Sequence, residues 1–451
     1  MRIRDWLKPG IKVKRWLAFG VFGVLLIAFG FTELVTHRLY DFYYKIFYIF
    51  LNITGVFVLY VSVTEVMKSI IALVNRGYLK VSLDSDKIES LIYEKRLLVK
   101  GPKIVVIGGG TGLSTMLRGL KYYTSNRTAI VPVGDDGGGS GALREDLGML
   151  PPGDIRNCIL ALADTEPLME DLLQYRFKDG RLKNQSFGNL FLAAMAGISD
   201  NFEEAVQKMS SVLAVTGKVI PVTLDNMQLV AKLENGNIVE GESQIPEEAI
   251  KQNSKIEELM IKPENATALK EALIAIREAD AIVMGPGSLY TSITSNLLVK
   301  DIAKSVRRSS ALKIYISNIM TQPGETTGFK VSDHLKVLRK YGGRDIVDYV
   351  IANTGEITEE LKEKYSKEGA ELVSLDTDDI KGMGIKIVGE DLVKIKDGTV
   401  KHDADKLAEV LADTIMEKKL LYEKKKIIEY MYLSQRIKNR DREEKGKQSE
   451  N

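Results

Sequence analysis

Cysteine, histidine and tryptophan are scarce in this chain of 451 residues, with one Cys, three His and two Trp. A lone Cys158 excludes a disulfide framework, and its wide separation from His37, His334 and His402 excludes a Cys/His metal cluster. A chain with no disulfide to keep suits a reducing compartment. An excess of one charge is also missing. The 63 Lys and Arg against 61 Asp and Glu leave a formal charge of +2, which gives no electrostatic footprint for nucleic acid. No HExxH or CxxC occurs, and no Ser/His/Asp or Cys/His set has local support. The dinucleotide fingerprint is broken, because Leu113 stands where its third glycine belongs, and no Gly-Lys-Ser/Thr follows to make a P-loop. These absences argue against an oxidoreductase and leave phosphate chemistry, which asks the protein for positioning and little covalent work.

Long hydrophobic runs, in contrast, are present. Residues 16–32 and 46–64 carry no formal charge. Each is close to the roughly 20 residues that span a bilayer. A signal peptide would end in a small-residue cleavage pattern, which is missing, and would not be followed by a second span. Two transmembrane helices are therefore expected within an anchor at 1–64. Arg2, Arg4, Lys8, Lys12, Lys14 and Arg15 precede the first span and Lys68, Arg76 and Lys80 follow the second, while the connector holds only Arg38 and Lys45. The positive-inside rule puts both termini and the large domain in the cytoplasm of a two-pass plasma-membrane protein. Tyr40, Tyr43 and Tyr44 suit the headgroup layer.

A charged, helix-prone linker at 65–102 ends at Gly101-Pro102. From Lys103 short β-branched runs alternate with helical stretches. Strands are expected at 103–107, 129–133, 281–284, 312–317 and 347–352, and helices at 112–122, 156–164, 189–197, 203–213, 267–279, 333–341 and 404–425. The pattern predicts an α/β fold with a mostly parallel sheet and helices on both faces, occupying 103–416. Residues 215–245 read as a β-hairpin insertion turning at Asn235-Gly236. The tail at 417–451 has eleven Lys and Arg against six acids up to Lys447. It reads as a solvated helix or disordered segment, or as a basic strip for anionic lipid.

Four glycine-rich signatures, and SFGN beside them, sit at strand ends or helix starts. In GGGTGLS (108–114), Gly108, Gly109, Gly110 and Gly112 let the backbone approach a ligand, and Thr111 and Ser114 add hydroxyls. In DDGGGSG (135–141), Asp135 and Asp136 stand where α/β folds hold ribose hydroxyls, with Gly137 and Ser140 as further donors. Those carboxylates have the chemistry to bind ribose, orient a water or hold Mg²⁺ through phosphate oxygens, Mg²⁺ with a bound diphosphate being the one cofactor indicated and no metal site being expected from protein ligands alone. PPGDIRN (151–157) offers Asp154 and Asn157, and SFGN (186–189) offers Ser186, Gly188 and Asn189. Both also read as plain helix starts with capping residues. GPGSLYTS (285–292) offers Gly285, Gly287 and Ser288, with Tyr290 as an aromatic face, and Asn318 ends the next strand. Loops beyond the carboxyl ends of parallel strands gather at one crevice, and bare helix N-termini there favour phosphate.

Taken in order, GGGTGLS, DDGGGSGALR, PPGDIRN, SFGNL, GPGSLYTSITSNLL and SNIMTQPGET resemble the YvcK/CofD-like family, nearest to its bacterial YvcK branch of gluconeogenesis factors. The likeness spans about residues 103–415. It implies a Rossmann-like domain that binds a nucleoside diphosphate compound. On the YvcK branch it implies a UDP-sugar ligand, notably UDP-N-acetylglucosamine, and a role in cell shape and wall synthesis during gluconeogenic growth, with no established reaction. On the CofD branch it implies transfer of a phospholactyl group from a guanosine diphosphate adduct to a deazaflavin precursor. Cell-wall synthesis proteins and a second copy of the chain are the protein partners such a role would involve. Tyr365 and Lys401 match positions that would complete the sugar-nucleotide site, by stacking on a base and facing a pyrophosphate. The family's DDGGSSGRLR carries Ser and Arg where Gly139 and Ala142 stand here, and its usual members have no membrane hairpin.

Overall fold

The computed structural model describes residues 13–36, 42–77, 98–99, 101–164 and 167–419. The chain divides into two units, residues 1–93 and residues 94–451. In the first, helix Val13–Thr36 lies against helix Phe42–Gly77. Small residues form the seam. A Cβ added at Gly23 would stand 3.0 Å from both the Gly55 carbonyl oxygen and the Leu59 amide nitrogen, so the two backbones touch there. Ser62 donates its hydroxyl to the Trp16 carbonyl across the same seam. Within these helices Ala18–Val35 and Phe42–Glu65 are long and apolar enough to cross a membrane. The helices outrun the expected spans at both ends, because Thr, Tyr and Glu at their margins continue the helix without breaking it. Tyr40 lies outside the described residues.

The second unit is built on seven parallel strands: β1 Ile104–Ile107, β2 Arg127–Val131, β3 Lys218–Pro221, β7 Ala281–Met284, β8 Leu312–Ile316, β9 Tyr349–Asn353 and β10 Lys386–Glu390, in the order β10-β9-β8-β7-β1-β2-β3. β1 and β7 are buried along their whole length, as a strand covered on both faces must be. The core runs from these strands into Leu113, Leu117, Ile159, Leu192, Met209 and Leu411 on the covering helices.

A second sheet, in the order β5-β4-β6, consists of β4 Gln228–Leu233, β5 Ile238–Glu240 and β6 Ile256–Lys262. The Asn235-Gly236 turn is where the sequence places it, with Gly236 at φ 88°. The expected hairpin at 215–245 is otherwise corrected. Lys218–Pro221 pairs with β2 in the main sheet, and β6, from beyond the hairpin, supplies a third strand. A small antiparallel pair, β11 Val393–Lys396 and β12 Thr399–His402, precedes helix Ala404–Lys419. The tail beyond residue 419 lies outside the described residues.

Candidate functional site

The chain runs outward from β1 to β2 and β3, then returns to place β7 on the other side of β1. The seam between β1 and β7 is therefore the point where the winding reverses, and ligands of open α/β sheets bind outside it. Register aligns Ile107 with Met284, so the loops that follow start level. They then touch. A Cβ at Gly112 would stand 3.0 Å from the Pro286 carbonyl oxygen, and one at Gly287 3.1 Å from that of Gly109. Gly110 (φ 74°) and Gly285 (φ 84°) take left-handed conformations that side chains resist. Helix Gly110–Leu120 opens here behind Gly109, which provides no side-chain cap. Thr111 is exposed at this end, whereas Ser114 spends its hydroxyl on the Thr111 carbonyl at 3.0 Å and is not a free donor.

Asp154, in the first turn of helix Gly153–Leu162, reaches this opening. A Cβ at Gly109 would lie 2.1 Å from its Oδ2, which leaves glycine as the residue that fits. Burial, and then the charge of Asp135, push the Asp154 pKa up to about 6, against the pull of the Gly110 amide and of Arg156. Asp135 accepts the Gly137 amide at 2.9 Å, just before helix Gly138–Leu147. Gly153 joins the two loops, since its Cβ would stand 2.5 Å from Ser140 Oγ and 3.0 Å from Asp135 Oδ2. Asp136 does something else. Its two oxygens accept the amides of Glu242 at 3.0 Å and Ser243 at 2.9 Å, tying the β2 loop to the three-stranded insertion.

Arg156 is 7% exposed, donates to Ser186 Oγ and to Asn157 Oδ1, and its Nε has no partner. Ser186 caps helix Phe187–Gly197 through the Asn189 amide at 3.2 Å. Gly188 admits the Arg156 stem, for its Cβ would fall 2.6 Å from Arg156 Cδ. Ser186, Gly188 and Asn189 are buried with Arg156, where Ser186 accepts its N–H and Gly188 leaves room for its stem.

Beyond β7 the chain forms a π-helix, Leu289–Thr294, a geometry frequent at functional sites. Ser288 Oγ accepts from Gln322 Nε2 at 2.8 Å, and Asn318 Oδ1 accepts the Gly287 amide at 3.4 Å, so these two fasten the β7 and β8 loops together. Tyr290 is 4% exposed. Its ring belongs to the core and offers no open face, because the π-turn directs it inward. Glu325, from the QPGE segment, accepts the Tyr290 amide at 3.4 Å and the Thr291 hydroxyl at 3.5 Å. Burial pushes its pKa up to about 7. Glu242 is half-buried, its pKa raised by burial and by the charges of Asp135, Asp154 and Glu325. Motif reading missed both glutamates. Glu325 stood inside a recognised motif, but Glu242 follows an unremarkable strand and only its three-dimensional neighbours reveal it.

Late in the chain, the Tyr365 hydroxyl accepts the Val400 amide at 2.8 Å, holding the β11–β12 pair. Strand alternation turns Lys401 to solvent, opposite Lys394 in the register. His402 faces inward instead, its Nε2 3.2 Å from the Ser317 carbonyl oxygen and its pKa pushed down to about 4 by burial. Of these two neighbours the lysine is thus the exposed group and the histidine the inward one. Among the described residues no three metal-ligating side chains come together. A Mg²⁺ ion would be held largely through the phosphates of its ligand. A groove of about 870 Å³, lined by Lys103, Arg127, Lys218, Glu203 and Glu271, lies at the opposite, amino ends of β1–β3.

Residues 104–393 match the family of the 2-phospho-L-lactate transferase CofD. A protein from Clostridium acetobutylicum is 66% identical over 446 residues, covering 99% of both chains. The gluconeogenesis factor of Bacillus subtilis is 47% identical over 317 residues, 70% of this chain and 99% of that one. The crystal structure of a UPF0052 family member from Bacillus halodurans superposes with a TM-score of 0.66 at 46% identity, over 68% of this chain and 98% of the other.

Proposed function

The chain belongs to the CofD family, on the branch of the gluconeogenesis factors, and from that premise we propose that it is a membrane-anchored, cytoplasm-facing nucleotide-sugar-binding regulator of cell shape and wall synthesis under gluconeogenic growth. The observation that carries this reading is the meeting of the β1 and β7 loops at the point where the winding reverses, with glycines wherever a side chain would close the gap. Such a gap favours the diphosphate of a compound like UDP-N-acetylglucosamine, held by main-chain amides and by Arg156. The N-terminal helices would keep this sensor beside the membrane where wall precursors are consumed. Calorimetric titration of UDP-N-acetylglucosamine into the protein is expected to saturate, and to weaken at least tenfold in Gly110→Asp, which puts a side chain and a negative charge into the cradle. Absence of saturable binding in the wild type would remove the reading.

A phosphotransferase of the CofD type is the second reading, favoured by Asp154 and Glu325, whose pKa values of about 6 and about 7 suit proton transfer near neutrality. Steady release of GMP from a guanosine diphosphate adduct in the presence of a deazaflavin acceptor would decide for it.

A further inference from the structure

Helix Phe187–Gly197 has Asn189 as its one polar side chain, yet of its residues only Gly188, Asn189 and Leu192 are buried. A helix apolar all round is normally covered all round. Here the inner side lies against Arg156 at Gly188, and the outer side is half open, with the rings of Phe187 and Phe191 stacked at 6.2 Å. Helix Pro167–Gln174 beside it adds Leu168, 79% exposed, and Leu172, while Ile198 and Val212 are exposed by 69% and 62%. Elsewhere among the described residues of this unit, exposed large apolar side chains are scattered through the sequence, at Val99, Leu147, Leu224, Ile238, Ile250 and Ile395. A continuous apolar patch marks a contact surface, whereas scattered residues do not. Within the patch is an apolar hollow of about 410 Å³, lined by Met169, Leu172, Phe187, Phe191 and Val212. Leu168 stands next to it as a knob. A knob and a hollow on one face are what a two-fold contact requires, because the axis presents each to the other.

Charge changes sign along the same face. Asp164 and Asp171, before and within helix Pro167–Gln174, are exposed, and Glu170 is taken by Arg118 at 2.6 Å. After that helix, the turn at 175–185 carries Arg176, Lys178, Arg181 and Lys183, all exposed, against the single acid Asp179. The turn is held by its own backbone, for the Phe177 amide donates to the Gln185 carbonyl at 3.0 Å and the Asn184 amide to the Phe177 carbonyl at 2.8 Å. An anionic lipid surface would attract the turn but repel the two aspartates beside the apolar patch. A second copy, rotated by a two-fold axis, sets the acids of each chain against the turn of the other.

We propose that the face built by helix Pro167–Gln174, the basic turn and the outer side of helix Phe187–Gly197 docks a second copy of this chain, as a two-fold dimer in which Leu168 of each copy enters the hollow of the other. The interface backs onto the crevice, since the same helix carries Gly188 against Arg156 on its inner side.

Light scattering on the full-length protein in detergent, with the detergent mass subtracted, tests the proposal. The wild type is expected to carry the mass of two chains at micromolar concentration. Leu168→Glu and Val212→Glu each bring a charge to an exposed apolar position, so they should melt as the wild type does while weakening the dimer by about tenfold or more. Asp171→Lys, which alters charge alone, should weaken it too. Ile238→Glu, at an exposed position on β5, should leave it intact. A dimer that survives both Leu168→Glu and Val212→Glu would place the contact elsewhere and overturn the proposal. So would a wild type that stays monomeric in detergent and whose amide exchange over 168–191 slows only in nanodiscs of anionic lipid, an outcome that assigns the face to the bilayer. A monomeric wild type without that slowing would leave the face to a different protein and would equally overturn it.

Discussion

Asp154 and Glu325 are acids whose folded pKa lies above the unfolded one, and the sign of the consequence follows from that. Between about pH 4 and their folded values of about 6 and about 7, the native state holds protons that the unfolded chain has released. Their contribution to stability is therefore largest at low pH and is lost as pH rises through that window. Glu325→Gln should leave the melting midpoint nearly unchanged at pH 5 and raise it at pH 8, by an amount corresponding to roughly 2 kcal/mol. A variant that melts below wild type at both pH values would show that the amide contacts of Glu325 outweigh the cost of burying its charge. Asp136 lies in the opposite regime. It serves two backbone amides, so Asp136→Ala leaves two donors without their acceptor and should cost about 2–4 kcal/mol in urea unfolding. A cost under half a kcal/mol would mean that water replaces it.

Elements show which parts of this architecture can be read in a sequence. β1, β7, β8 and β9 were legible because a strand buried on both faces is a continuous apolar run flanked by glycine or polar turns. Helix Gly138–Leu147 was not, since three glycines at its start read as a loop. Strand β3, whose sequence Lys-Val-Ile-Pro suits a hairpin equally well, was given to the insertion because pairing with β2 is a long-range contact. At the site, the glycines were legible since a turn or close approach demands them. The direction of a side chain is not, which is why the motif offers Tyr290 as an aromatic face although its ring is buried. Close helix contact supplies a test at this scale. A Cβ at Gly119 would stand 2.4 Å from the Ala404 carbonyl oxygen and 2.8 Å from Ala408 Cβ, so helix Gly110–Leu120 and helix Ala404–Lys419 meet backbone to backbone. Gly119→Val should push them apart and lower stability by about 1–3 kcal/mol, measured by denaturant unfolding. Because this helix also carries the Gly110 cradle at its other end, ligand affinity should fall with it.

At the scale of the whole molecule, the relatives separate two modules. The Bacillus subtilis and Bacillus halodurans proteins are matched almost end to end over about 70% of this chain, a length that the unit from residue 94 accounts for. The Clostridium acetobutylicum protein is matched over 99%, so it shares the helical hairpin as well. The hairpin is then an addition to the domain those relatives share, and its seam of Gly23 against Gly55 has the small residues that helices use to pack closely in lipid, where close backbone approach replaces hydrophobic burial. The proposed membrane anchoring makes a prediction for each loop. With Cys158 buried and replaced by serine, Tyr40→Cys should react with a membrane-impermeant maleimide on intact cells, while Lys80→Cys should react only after lysis. The reverse pattern would place the CofD-like domain outside the cell, away from the cytoplasmic nucleotide-sugar proposed as its ligand. Labelling of both sites on intact cells would mean that the hairpin does not span the membrane.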